Sequence, residues 1–309
     1  MRDISIVLCG RNDDHGGGFL DRLLKAAEHN LSRLADLGVG AEIVWIEWNP
    51  PADRPLLAEE LTRRFTSVRA WIAGPAVHRY CCDNPHMFIM EFFAKNAGVR
   101  RSQSEWILTT NADIVLGEST LARMLELDDP EDARVYRAVR RDLKPGVAPA
   151  DAATASHWQF SHATTPPYHA EGAGDFLLAS RLVFEAVRGF NETIRFAKLH
   201  KDTQFCIHAA KLGFEPSVIG EVYHLHHPNS WIHLPMAART APDAPWGPPY
   251  NYRANLPYLN PPEWGLVHCR EEPVGERICR LLPPKTPTVL PEVGSRGVLA
   301  EAENAWKAA

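Results

Sequence analysis

Several short polar clusters in this chain carry side chains able to do chemistry. Thr109-Thr110-Asn111-Ala112-Asp113 closes a β-prone run. A carboxylate at the end of a buried strand can hold a divalent cation that bridges a diphosphate, with phosphate and water oxygens completing the shell. Asp113 could equally cap the following turn. In Tyr223-His224-Leu225-His226-His227, strand alternation puts His224 and His226 on one face and His227 on the other. His224 and His226 could then share a metal or a phosphate, or be plain polar residues at a strand end.

Three further clusters matter. Asp202, in His200-Lys201-Asp202-Thr203, precedes an apolar-periodic segment, so it is a helix cap or a general base. Gly172-Ala173-Gly174-Asp175 combines small residues, which allow close backbone approach, with a carboxylate that could bond a sugar hydroxyl; a tight turn is the alternative. The loop Arg11-Asn12-Asp13-Asp14-His15, running into Gly16–Gly18, offers polar groups to a nucleobase or ribose. It fits neither the G-x-G-x-x-G nor the G-x-x-x-x-G-K-[ST] phosphate motif.

The elements that position these clusters alternate between two periods. Residues 4–9 and 41–48 are continuous apolar runs that suit buried strands. Between them Phe19, Leu23, Leu24, Ala27, Leu31 and Leu34 recur at helical spacing, and Gly38 stops the run. The alternation continues with a helix over 55–64, a strand over 68–73, a helix over 87–98, a strand over 105–110 and a helix over 118–127. Such alternation implies crossover units on a mostly parallel sheet, with ligands beyond the carboxyl ends of its strands. The clusters at 10–18, 47–49 and 111–113 all fall at such ends. Further on, strands are expected at 134–140 and 217–226 and helices at 181–188 and 202–212; residues 144–170 read as a mobile loop.

The bulk properties are those of a globular enzyme. The 309 residues are 45% apolar and 23% charged, and the net charge of −5 argues against a general nucleic-acid binder. No run approaches a membrane span, and Met1-Arg2-Asp3-Ile4 leads directly into a strand, which gives the expectation of a cytoplasmic protein. The six cysteines lack C-x-x-C spacing and suit reduced thiols. Many of the 25 prolines follow residue 235, which marks a loop-rich C-terminal region.

In their order along the chain, these pieces resemble the GT-A-fold glycosyltransferases, especially the inverting family-two-like enzymes, from residue 4 to residue 227. Ile6-Val7-Leu8-Cys9-Gly10-Arg11-Asn12-Asp13 is similar to that family's opening strand. Trp45-Ile46-Glu47-Trp48-Asn49 stands where the family places an acid that reads the base. Ala94-Lys95-Asn96-Ala97-Gly98 is similar to its Ala-Arg-Asn-x-Gly segment, and Thr110–Asp113 to its Asp-x-Asp metal motif. Residues 172–192 resemble the acceptor-side segment, His200–Gln204 the element that supplies the base, and His224 or His226 the late metal histidine. There are departures: Asn111 replaces an acid, Lys95 replaces the usual Arg and its planar fork, and Lys201 precedes Asp202 where an acid is usual.

The resemblance implies an α/β GT-A domain over residues 1–235, with a nucleotide-sugar half (1–128) and an acceptor half (129–235), followed by a Pro-rich extension (236–309). It implies a divalent cation, manganese ahead of magnesium, on Asp113 with His224 or His226. The donor would be a UDP-sugar in preference to a GDP-sugar, and the acceptor a glycan or small molecule. Arg11, Asn12, Asp13, Glu47, Lys95, Asn96, Asn111 and Asp175 would contact donor or substrate, and Asp202 would be the base of an inverting transfer. Trp246, Tyr250, Tyr252, Tyr258 and Trp264 could cover the acceptor, and the tail could clamp its own subunit or a second copy in a homo-oligomer. The rival readings are a sugar nucleotidyltransferase, a non-catalytic nucleotide-sugar or glycan binder, and a metal hydrolase built on the histidines.

Overall fold

A computed structural model describes residues 3–285, except 86, 128, 130–132, 173, 196–200 and 229–257. The first half follows the expected alternation with two unexpected elements, α3 and β5, added: β1 (Asp3–Gly10), α1 (Phe19–Asp36), β2 (Gly40–Trp48), α2 (Leu57–Arg64), β3 (Val68–Ala73), α3 (Pro75–Cys81), α4 (Glu91–Arg101), β4 (Trp106–Thr110), β5 (Ile114–Leu116) and α5 (Glu118–Leu125). The second half is richer in strands: β6 (Arg134–Leu143), β7 (Trp158–His162), β8 (Phe176–Ser180), α6 (Arg181–Val187), α7 (Lys201–Lys211), β9 (Glu215–His224), β10 (Arg270–Gly275) and β11 (Ile278–Leu282).

Among the described residues, all eleven strands join one sheet in the order β10-β11-β3-β2-β1-β4-β8-β6-β9-β5, with β7 added against β6. The block β11-β3-β2-β1-β4 is parallel. From β8 onward the sheet is mixed, because β8 runs antiparallel to both β4 and β6, while β9 is parallel to β6.

The central strands β1, β2, β4 and β8 are largely buried on both faces, as their continuous apolar runs require. Val7, Val44 and Ile46 face a core built with Phe93, Ala94 and Ala97 of α4. Ile6, Leu8, Ile43 and Trp45 face the opposite core, with Leu23 and Leu34 of α1 and Leu57 and Leu61 of α2. Helix α4 lies so close to the sheet that a Cβ on Gly98 would run into Cγ1 of Val7.

Three expectations change here. The stretch 144–170 is not simply a loop, since it contains β7, which forms a hairpin with β6. The region after residue 258 holds a further hairpin, β10–β11, that extends the sheet past β3. Trp71 Nε1 donates to Glu271 at 2.8 Å and helps fasten that hairpin. Tyr258 and Trp264 are core residues rather than a sugar cover: both are buried, and Tyr258 Oη donates to the Gly189 carbonyl at 2.7 Å. Trp246, Tyr250 and Tyr252 lie outside the described residues. Among the described residues no helix is long and apolar enough to cross a membrane.

Candidate metal centre and cleft

The topology gathers the polar clusters at one end of the sheet. Strands β1 and β4 are parallel neighbours, with Val7 beside Thr109, so the loops after Gly10 and Thr110 emerge together. Strand β8 starts where β4 ends, with Phe176 opposite Thr110, which brings Asp175 beside Asn111. The register between β6 and β9 pairs Asp142 with His224, and that between β5 and β9 pairs Ile114 with His224. Of these, Gly10, Asn111, Asp142 and His224 border a cleft of about 840 Å³.

On its floor Asp113, His224 and His227 converge. Oδ2 of Asp113 lies 3.6 Å from Nε2 of His224 and 3.4 Å from Nε2 of His227, and the two Nε2 atoms are 3.1 Å apart. The expected partner His226 is therefore replaced by His227 in this group. The reason is local: β9 ends at His224, so strand alternation no longer governs the next three residues. The Leu225 amide instead bonds the Asp113 carbonyl at 3.0 Å, and the chain turns so that His227 swings back. His226 lines the cleft outside the converging group.

The surroundings orient these ligands. His227 Nδ1 donates to the Pro228 carbonyl at 2.9 Å, which leaves its Nε2 lone pair for Asp113's side of the site. His224 Nδ1 lies 3.2 Å from Asp142 Oδ1, and the Arg140 guanidinium also approaches it at 3.0 Å. An imidazole backed by a carboxylate is the usual second layer of a metal site. Gly16 is the residue that admits His227: at φ +67° it has no Cβ, and one would collide with Nδ1 of that imidazole. Arg22 ties the same loop down by donating to the carbonyls of His15 and Gly17, while its Nε lies 3.5 Å from Asp113 Oδ2.

The electrostatics fit a cation site. Burial would raise the Asp113 carboxyl, but His224, His227 and Arg22 outweigh it and hold the group far below the ordinary carboxylate range. Burial works against a charged His224, yet Asp113 and Asp142 push it up to about 9. Burial pulls His227 down. Without a metal, one shared proton answers the charge of Asp113. Two nitrogens and one carboxylate oxygen aimed at a common point answer it equally with a divalent cation, and this donor set suits manganese or another transition ion better than magnesium.

The other expected residues divide into two groups. Arg11, Asp13 and Asn111 border the cleft. Asn111 donates to Asp175 Oδ1 at 2.8 Å, and Arg140 grips both oxygens of Asp175 at 2.9 and 3.0 Å. Asn12 is turned away and donates to the Pro55 carbonyl. Lys95 lies beneath the cleft, bonded to Glu91 (2.7 Å), Asn111 Oδ1 (3.0 Å) and the Gly174 carbonyl (2.7 Å), so it supports ligand-facing groups from below. Asn96 is buried and holds Phe190 and Glu192, which makes it a packing residue. Glu47, 0% exposed, accepts the amides of Leu57 and Ala58 at 2.9 and 2.7 Å. It satisfies the open N-terminus of α2 and is closed to any base. Asp202 is half-buried in the first turn of α7, where its Oδ2 accepts the Gly174 amide at 2.7 Å. Burial raises its carboxyl, and Glu91 adds to that.

Reading the sequence by strand alternation misses His227, Arg140, Asp142 and Arg22. Arg140 and Asp142 do share one face of the 134–143 run at i, i+2 spacing, but only the register with β9 shows that this face meets His224.

No family model matches the chain, and no curated protein matches it. Among solved structures, it is similar to the catalytic domain of Drosophila beta1,4galactosyltransferase 7, crystallised with xylobiose. The identity is 13% and the TM-score 0.47, and the match covers 93% of this chain and 96% of that one.

Proposed function

We propose that this chain is a metal-dependent glycosyltransferase of GT-A type that moves a sugar from a nucleoside-diphosphate sugar to an acceptor hydroxyl with inversion. The observation that carries this reading is the convergence of Asp113, His224 and His227 on the floor of a large cleft at the carboxyl ends of the parallel strands. The cleft volume suits a nucleotide sugar. A divalent cation on the three ligands would supply Lewis-acid stabilisation of the charge that develops on the leaving diphosphate.

The chain's own residues do the rest. Arg11, on the loop after β1, offers a guanidinium to the anionic donor. With Glu47 committed to α2, base recognition falls to Arg11 and Asp13, which border the cleft. Asp175, fixed by Arg140 and Asn111, orients sugar hydroxyls. Asp202 takes the proton of the acceptor hydroxyl as that oxygen attacks the anomeric carbon from the side opposite the diphosphate. A burial-raised carboxyl is the better proton acceptor.

The test begins with thermal shifts for UDP- and GDP-sugars with manganese or magnesium, since a ligand held only by the folded state raises the melting temperature. Transfer or donor hydrolysis is then assayed with the stabilising donor. Unchanged turnover after Asp202→Asn removes it as the base, and chelator-insensitive donor binding removes the metal. The same three ligands would also serve a metal-dependent hydrolase. Donor cleavage by water that no acceptor accelerates would favour that reading.

A further inference from the structure

We propose that the β6–β7 hairpin is the acceptor wall of the cleft and that the Phe160 ring is a stacking platform for a pyranose ring of a glycan. This rests on the glycosyltransferase reading and extends it to the acceptor.

Phe160 is 60% exposed, and Phe88 is 61% exposed; among the described residues no other large apolar side chain is as exposed. One exposed phenylalanine on a surface is ordinary. These two, however, both border the same cleft. Phe88 belongs to the donor side, where the Arg11 guanidinium lies 5.3 Å from its ring centre. Phe160 comes from a separate element. It is paired in register with Asp142, and His162 is paired with Arg140. Asp142 Oδ2 takes the His162 imidazole at 2.9 Å, and its Oδ1 faces His224. A single carboxylate therefore stands between the exposed ring's neighbourhood and a candidate metal ligand.

The chemistry around Phe160 selects the ligand. The cleft is concave, which suits a small molecule or the end of a chain better than a flat protein surface. Beside the ring stand Gln159, a carboxamide with donors and acceptors, and His162, half-exposed with one nitrogen already engaged. An aromatic face flanked by hydrogen-bonding groups matches a sugar ring, which has an apolar C–H face and a rim of hydroxyls. The anionic part of a donor is better served across the cleft, beside Arg11.

The experiment is a printed glycan array probed with the chain loaded with manganese and UDP, comparing wild type, Phe160→Ala and Phe160→Trp. Thermal shift by manganese and UDP is measured on each protein. The expected result is binding to a defined set of glycans that falls at least tenfold in Phe160→Ala and returns in Phe160→Trp, with the UDP–manganese shift intact in all three. Equal glycan binding by Phe160→Ala overturns the proposal. So does a wild type that takes UDP and manganese but no glycan, and so does loss of the UDP shift in Phe160→Ala, which would make Phe160 a donor residue. Absence of the UDP–manganese shift in wild type strikes the glycosyltransferase reading itself, and the proposal falls with it.

Discussion

The Nε2 atoms of His224 and His227 lie 3.1 Å apart, and both face the same carboxylate oxygen of Asp113. Without a metal, His224, pushed up to about 9, holds the proton that lies between the two rings; a divalent cation would take that proton's place. Substitution of either ligand is therefore expected to weaken manganese or zinc binding by at least about tenfold, at or beyond the cost of losing a supporting group. His226→Ala should leave affinity within about threefold, well short of that loss. Isothermal titration of the three variants decides it, and parity of His226→Ala with His227→Ala would return the site to strand alternation.

Asp142 holds His224 from behind. Asp142→Asn keeps the shape but removes a full acceptor charge, so the imidazole loses its enforced orientation. A drop in metal affinity of roughly 10–100-fold is expected, without a change in the number of bound ions. Unaltered affinity by titration would mean that Arg140, not Asp142, sets the His224 ring.

Gly16 and Gly17 provide a matched pair. Both have left-handed backbones, at φ +67° and +72°, so an alanine costs about 1–2 kcal/mol at either. Only at Gly16 would the new Cβ strike His227, whereas nothing lies within 4 Å of one at Gly17. Gly16→Ala should lower both melting temperature and metal affinity, and Gly17→Ala melting temperature alone. Equal metal affinities would show that the loop yields freely to His227.

These positions show what was legible beforehand. The alternation of strands and helices, the placement of Asp113 at a strand end and the grouping of 10–18 with 111–113 follow from periodicity and the parallel-sheet rule, because each depends only on local pattern. His227 did not, since β9 stops at His224 and alternation cannot say where a chain turns next. Arg140 and Asp142 are long-range partners whose meeting with His224 depends on a register that includes a bulge between Arg137 and Ala138. Glu47 reads as a ligand residue by its place in the sequence, yet the unsatisfied amides of α2 claim it.

Glu47 yields a prediction opposite to that of a binding residue. Glu47→Ala leaves two buried amides without acceptors, at a cost of about 1–3 kcal/mol each at most. The melting temperature should fall by several degrees, while donor affinity of the folded protein is unchanged. A selective loss of UDP affinity with normal stability would restore the base-reading role.

His208 sets a pH dependence of folding. It is buried in α7 with its ring edge-on to Tyr258, centroids 4.6 Å apart, and burial pushes it down to about 4 from 6.5. Above pH 6.5 the imidazole is neutral in both folded and unfolded chains, so it adds no slope. As pH falls from 6.5 towards 4, the unfolded chain takes up a proton that the folded chain refuses, and stability declines. By linkage the loss is about 2 kcal/mol at pH 5. His208→Gln cannot titrate, so the difference in unfolding free energy between pH 7 and pH 5 should shrink by that amount relative to wild type. Urea melts at the two pH values measure it, and identical pH slopes for the two proteins would mean that His208 is protonated in the folded core.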